Sequence, residues 1–167
     1  MTKKTRSYLL PAISPSLDDF KRHVRITSDD LDAELQVKLL AAINAAENMI
    51  GQVIALSRFT LTVPFTKCIP LPSRPLFEVE TVSVDSLECE DYTVKGNLVV
   101  LPDDMEGLTV EVTYIAGMTE VPYDIQAAIL MHAASLFNNP VDSVETLPKA
   151  STNLLRPYRL WELDLDR

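Results

Sequence analysis

The sequence predicts an α+β fold: a small helical bundle with one antiparallel β unit inserted into it. Two changes of period predict it. Apolar side chains recur at steps of three and four over residues 29–50 and again over 122–138, as one face of a helix requires. Between them, over about 58–115, the period drops to two, as in strands with one face covered. The strands fall in one block between helical segments, so the β unit is an insert in a single domain of 167 residues. The expected boundaries are an extended arm at 1–15, a helical core at 16–51 plus 121–159, the β insert at 58–115 and a tail at 160–167.

The arm is interrupted by Pro11 and Pro15. A short helix near 16–24 follows. Ser16 caps it, Asp18 and Asp19 meet the positive end of its dipole, and Lys21 and Arg22 lie toward the other end. Leu17, Phe20 and Val24 give it one apolar face. The second helix has Ser28 or Asp29 as its expected cap and a stripe of Leu31, Leu35, Leu39, Ile43, Ala46 and Ile50. Gly51 ends it, because a left-handed residue after a helix is most easily a glycine.

In the insert, Phe59, Leu61 and Val63 alternate with threonines. CIPLPSRPLF holds Pro70, Pro72 and Pro75 and reads as extended chain along a sheet edge. VETVSV (79–84), 92–94, 98–101 and LTVEVTYI (108–115) are further strands, with Lys95-Gly96-Asn97 as a hairpin turn. The third helix, within VPYDIQAAILMHAASLFNNP, begins at Pro122 and stops before Pro140. Ile125, Ile129, Ala133 and Leu136 are its expected inward face. A second apolar set, Leu130, Met131, Ala134 and Phe137, is left to meet the β unit, the C-terminal segment or another protein. A short helical turn is expected near 149–156.

Chemistry-bearing patterns are few. His23 and His132 lie on separate helices without acidic partners at ligand spacing, which points away from a metal site. His132 is expected to bond to backbone or to a neighbouring chain. No GxSxG, P-loop or GxGxxG occurs, and four glycines cannot build a phosphate cradle. Asp18/Asp19, Asp29/Asp30 and Asp103/Asp104 read as caps and solvated turns rather than a catalytic pair. Cys68 and Cys89 fit no zinc or redox spacing and are expected to be free thiols. No enzyme activity, cofactor or metal is expected.

Net charge is −9, unevenly placed. Residues 1–25 hold six basic and two acidic residues; residues 78–124 hold twelve acidic residues and Lys95. An acidic middle weakens any reading as a non-specific nucleic-acid binder. No apolar run reaches the length of a membrane span, and the N-terminus lacks a signal-peptide apolar stretch. The C-terminal YRLW joins Tyr158, Arg159 and Trp161, residue types enriched at the centres of protein–protein interfaces.

Taken in order, SLDDFKRHVRI, DDLDAELQVKLLAAINAAENMIG, IPLPSRPLFEVETVSV, a strand ending VTYIAG, VPYDIQAAILMHAASLFNNP and LPKASTNLLRPYRLW resemble the head–tail connector (adaptor) proteins of tailed bacteriophages and prophages. The likeness is to the version with a β-rich insert between helices two and three, and it runs from about Pro11 to Arg159. The resemblance implies a structural virion protein without catalytic residues. It implies a ring with itself, of twelve subunits when assembled, beneath the portal protein. The ring extends the DNA channel without reading DNA sequence and docks a tail-proximal completion protein. The implied location is the virion head–tail junction, after assembly in the bacterial host cytoplasm, with no membrane partner. Candidate subunit or portal contacts are Leu130, Met131, Ala134, Phe137, Leu154, Leu155, Arg156, Tyr158, Arg159 and Trp161. Where many members carry a charged residue after the third helix, this chain has Asn138, Asn139 and Pro140. An acidic channel wall over 78–124 would let DNA slide. The alternative is a non-catalytic binding or regulatory subunit of a bacterial complex.

Overall fold

A computed structural model describes residues 2–9, 14–139 and 147–160. The chain divides into two compact units: residues 13–54 with 120–167, and residues 1–12 with 55–119.

The first of these is helical. Helix α1 spans Leu17–Val24, α2 Asp32–Ile50, α3 Tyr123–Asn138 and α4 Lys149–Leu155; a single 3-10 turn, Arg156–Tyr158, follows. Ser16 caps α1 with the reciprocal pair that sequence periodicity alone does not specify. Its Oγ accepts from the Asp19 N–H at 3.2 Å, while Asp19 Oδ2 accepts from the Ser16 N–H at 3.0 Å. The Ser16 hydroxyl also donates to Asp19 Oδ2 at 2.6 Å, and that bond, followed by the one from the Ser16 N–H, holds the Asp19 carboxyl below its ordinary pKa.

The start of α2 differs from expectation. Its N-cap is Leu31, with no side-chain cap, and neither Ser28 nor Asp29 does that work. The reason is Lys21. Its ammonium lies 2.5 Å from Asp29 Oδ1 and 2.7 Å from Asp32 Oδ1, and its side chain is only 10% exposed. Asp29 is therefore turned toward Lys21 rather than toward the helix N–H groups. The buried face of α2 is Leu35, Leu39, Ala42, Ile43, Ala46, Glu47 and Ile50. Buried Glu47 is satisfied by the Ile54 N–H, which donates to Oε1 at 2.8 Å. Helix α2 packs on α3, α3 on α4, and α1 on both α2 and α3. Phe20, Ile125, Ile129 and Leu155 complete this core, all fully buried.

The second unit is antiparallel throughout. Its strands are β1 Lys3–Tyr8, β2 Ser57–Pro64, β3 Cys68–Pro70, β4 Leu76–Val84, β5 Leu87–Glu88, β6 Thr93–Lys95, β7 Leu98–Val100 and β8 Thr109–Ala116. They form a five-stranded sheet ordered β1-β2-β8-β4-β5 and a three-stranded sheet ordered β3-β7-β6. The proline-rich β3 lies at a sheet edge, where a missing N–H is tolerated. Central β8 buries Val110, Val112, Tyr114 and Ala116, while alternating Thr109 and Glu111 are exposed and Thr113 and Ile115 half-buried. Phe59 on β2 sits opposite Tyr114, and their rings stack 5.5 Å apart at 23°.

Two tight turns set the registers. Gly96 (φ 60) and Asn97 join β6 to β7, as expected. Asp85 (φ 49) and Ser86 (φ 71) join β4 to β5, a two-residue turn of the kind that matches strand twist. At the end of β8, Gly117 has φ 137, and a Cβ there would fall 2.8 Å from the Leu56 backbone. The VTYIAG motif thus ends in glycine because no side chain fits.

Within the N-terminal arm, expected to be extended, residues 3–8 form strand β1, paired along its whole length with β2, from Lys3 opposite Thr62 to Tyr8 opposite Ser57. On the face that β1 shares with Phe59, exposed Lys4 and half-buried Arg6 stand where apolar side chains would be expected. Lys4 Nζ lies 5.3 Å and Arg6 Cζ 5.5 Å from the Phe59 ring centroid, and Arg6 Cζ lies 4.2 Å from that of Tyr8. An all-polar strand has no apolar alternation to betray it. Residues 161–167 of the expected tail, residues 140–146 of the loop after the third helix and residues 10–13 around Pro11 lie outside the described residues.

Candidate docking surface

Helix α3 presents two stripes. The inward one is Ile125, Ala128, Ile129, His132 and Ala133. Spacings of three and four put these residues on one face, and His132 belongs to that face. Leu136, expected to be inward, is only half-buried. The second stripe, Leu130, Met131, Ala134 and Phe137, is half-buried at every position. Ala127, on the same side, is exposed. The helix is therefore apolar nearly all round but fully covered on one side only.

His132 is 5% exposed, and its Nδ1 has no hydrogen-bond partner among the described residues. The expected backbone bond at that nitrogen is not made. Burial pushes the pKa of the imidazole down, so the ring is held neutral. Among the described residues no group of three or more His, Cys, Asp or Glu could hold a metal ion.

The C-terminal candidates separate in kind. Leu155 is fully buried inside its own helical unit, so it is core and cannot also be a contact for another chain. Leu154 and Tyr158 are half-buried; Arg156 and Arg159 are exposed. Trp161 lies outside the described residues. What holds this segment is the end of α2. The Leu160 N–H donates to the Ile50 carbonyl at 2.8 Å, and Gln52 Nε2 donates to the Tyr158 carbonyl at 2.8 Å. A carbonyl orphaned at a helix C-terminus is satisfied by the strand-like segment that follows α4. Gly51 is left-handed at φ 72, a backbone conformation that favours glycine, and a Cβ there would make only ordinary contact with Leu160 Cβ at 3.8 Å. The outer stripe of α3 is thus an apolar patch, and the 154–160 segment, with exposed Arg156 and Arg159, is an apolar-and-basic patch of the same unit.

The thiols are free, Cys68 exposed and Cys89 buried. The acidic pairs are structural where they have partners. Asp19 caps α1, Asp29 meets Lys21, and Asp103 meets Lys67 at 3.6 Å. Sequence reasoning passed over two charged features. One is the Lys21 bridge, invisible because its partners are 8 and 11 residues away. The other is the basic edge strand β1, whose clustering of Lys3, Lys4 and Arg6 was its only signal.

No protein-family model matches the chain, and no curated protein matches it. Solved structures do. A chain in the neck of an empty GTA particle, computed with C6 symmetry, superposes with a TM-score of 0.74 at 18% identity, covering 96% of this chain and 97% of that one. A chain in the neck of a native GTA particle, computed with C12 symmetry, gives 0.75 at 19% identity over 96% and 97%. A chain of the virion of a native gene transfer agent (GTA) particle gives 0.73 at 19% identity over 96% of each. The α+β fold of this chain is therefore, over 96% of its length, one that also occurs in the neck of GTA particles.

Proposed function

We propose that the chain is a structural component of the neck of a phage-like particle: a head–tail connector that forms a ring beneath the portal. The carrying observation is the fold likeness over 96% of the chain to neck chains whose structures were computed with sixfold and twelvefold symmetry. The ordered motifs from SLDDFKRHVRI to LLRPYR support the same reading. In this reading twelve copies close a ring, extend the DNA channel and dock a tail-proximal completion protein.

A ring subunit needs two different contact faces, one for each neighbour. The outer stripe of α3 (Leu130, Met131, Ala134, Phe137) supplies one apolar face. The segment with Leu154, Arg156, Tyr158 and Arg159 supplies a face of the composition that protein contacts favour, for a neighbour or for the portal. The exposed carboxylates of the 102–107 turn, Asp103, Asp104 and Glu106, would repel phosphate and keep DNA from sticking to a channel wall. DNA passes as a cargo, unread.

Light scattering and pull-down with the portal protein of the same particle test this. The expected result is portal binding with ring-sized assemblies. A chain that stays monomeric and never binds a portal would instead favour a regulatory subunit of another complex.

A further inference from the structure

The five-stranded sheet carries opposite charges on its two edges. One cross-strand row shows it best. Lys3 on β1 lies opposite Thr62, Thr62 opposite Glu111, Glu111 opposite Ser83, and Ser83 opposite Glu88 on β5. The row begins in an ammonium and ends in a carboxylate. Exposed Lys4 extends the basic edge, and exposed Glu90 and Asp91 extend the acidic one just after β5. Lys3, Glu88, Glu90 and Asp91 have no ion-pair partner among the described residues. Beside Glu88, Leu87 leaves 76% of its surface in water.

We infer that these edges are the two halves of one head-to-tail contact: the basic β1 edge of one copy docks on the acidic β5 edge of the next. The occupant follows from charge. A two-fold contact of β1 with β1 would face Lys3 and Lys4 with their own copies, and β5 with β5 would face carboxylates with carboxylates. Like charges across an interface cost free energy and suppress that pairing. Only the unlike edges attract, and a contact between two different surfaces is heterologous, which closes into a ring or runs on as a filament. Strand direction agrees. Four successive antiparallel junctions leave β1 and β5 running the same way, so a sideways repeat of the sheet continues the Lys3–Glu88 row without inversion. The contact also covers Leu87.

This inference rests on the ring reading and names the two edges of one subunit–subunit contact. The test uses the full chain carrying Cys68→Ser and Cys89→Ala, with association followed by light scattering alone and with portal. Lys3→Glu with Lys4→Glu, and separately Glu88→Lys with Glu90→Lys, should each weaken self-association by about tenfold. Mixing the two reversed variants should restore it, because each then offers the edge the other needs. Lys3→Cys mixed with Glu88→Cys should form a disulfide-linked pair on oxidation, and Lys3→Cys alone should not. Unchanged association in both reversed variants, with no mixed disulfide, would overturn the inference and leave the ring reading standing. A parent chain that never associates, with or without portal, would remove both.

Discussion

At the scale of single residues, three positions are tied to the fold by constraints that can be measured. Gly117 combines φ 137 with a backbone 2.8 Å from where a Cβ would lie. Gly117→Ala should lower stability by about 1–3 kcal/mol, read from urea unfolding, because the neighbour is main chain and cannot swing aside. His132 links stability to pH. Its folded pKa is below the ordinary value, so its contribution is complete above about pH 6.5 and is lost as pH falls toward the lowered value. Thermal melts from pH 7.5 to 5 should show a fall that His132→Leu reduces; equal pH dependence in the two would remove His132 from the account. Asp85 works in the same direction at lower pH. It accepts from the Leu108 N–H, the Thr109 N–H and the Thr109 hydroxyl, and the first two bonds hold its carboxyl below the usual range. Its contribution is present above the ordinary carboxylate pKa and lost as pH drops through the lowered one. Asp85→Asn should flatten that acid limb of the stability curve. None of these roles was legible beforehand. Each depends on a partner far along the chain, or on a backbone angle that residue type alone does not fix.

At the scale of elements, what could be read was what repeats. The helical stripes at Leu35, Leu39, Ile43, Ala46 and Ile50, and at Ile125, Ile129 and Ala133, predict α2 and α3 closely, since burial of one face decides both pattern and structure. Strand alternation predicts β2 and β8 for the same reason. It fails for β1, where KKTRSY pairs fully with β2 yet has no apolar face. There the sheet is completed by hydrogen bonds and by cations resting on Phe59 and Tyr8, and neither leaves a periodic trace. The stack of Phe59 on Tyr114 ties β2 to β8 in the core. Phe59→Ala should cost about 3–5 kcal/mol by chemical denaturation, through lost burial and the cavity left behind. A cost under about 1 kcal/mol would mean that the site collapses around the gap. The candidate docking residues were only partly legible. Spacing separates the outer stripe of α3 from the inner one, but it cannot tell that Leu155 is core while adjacent Leu154 is half-open.

At the scale of the whole molecule, two features bear on the proposed ring. One helix keeps a half-covered apolar stripe, and the sheet carries unlike charges on its two edges. Charge balance alone already spoke against a phosphate-binding surface, because residues 78–124 hold twelve acidic residues against Lys95. Assembly, unlike folding, is a property of contacts between copies, and so only its halves can be seen in one chain. The central claim is that those halves close into a neck ring. The most direct measurement is image reconstruction of the purified chain bound to the portal of its particle. The account predicts a ring of twelve copies coaxial with the portal, with the β1 edge of each copy against the β5 edge of the next. A portal with no added density, or the chain bound as a closed dimer, would contradict it.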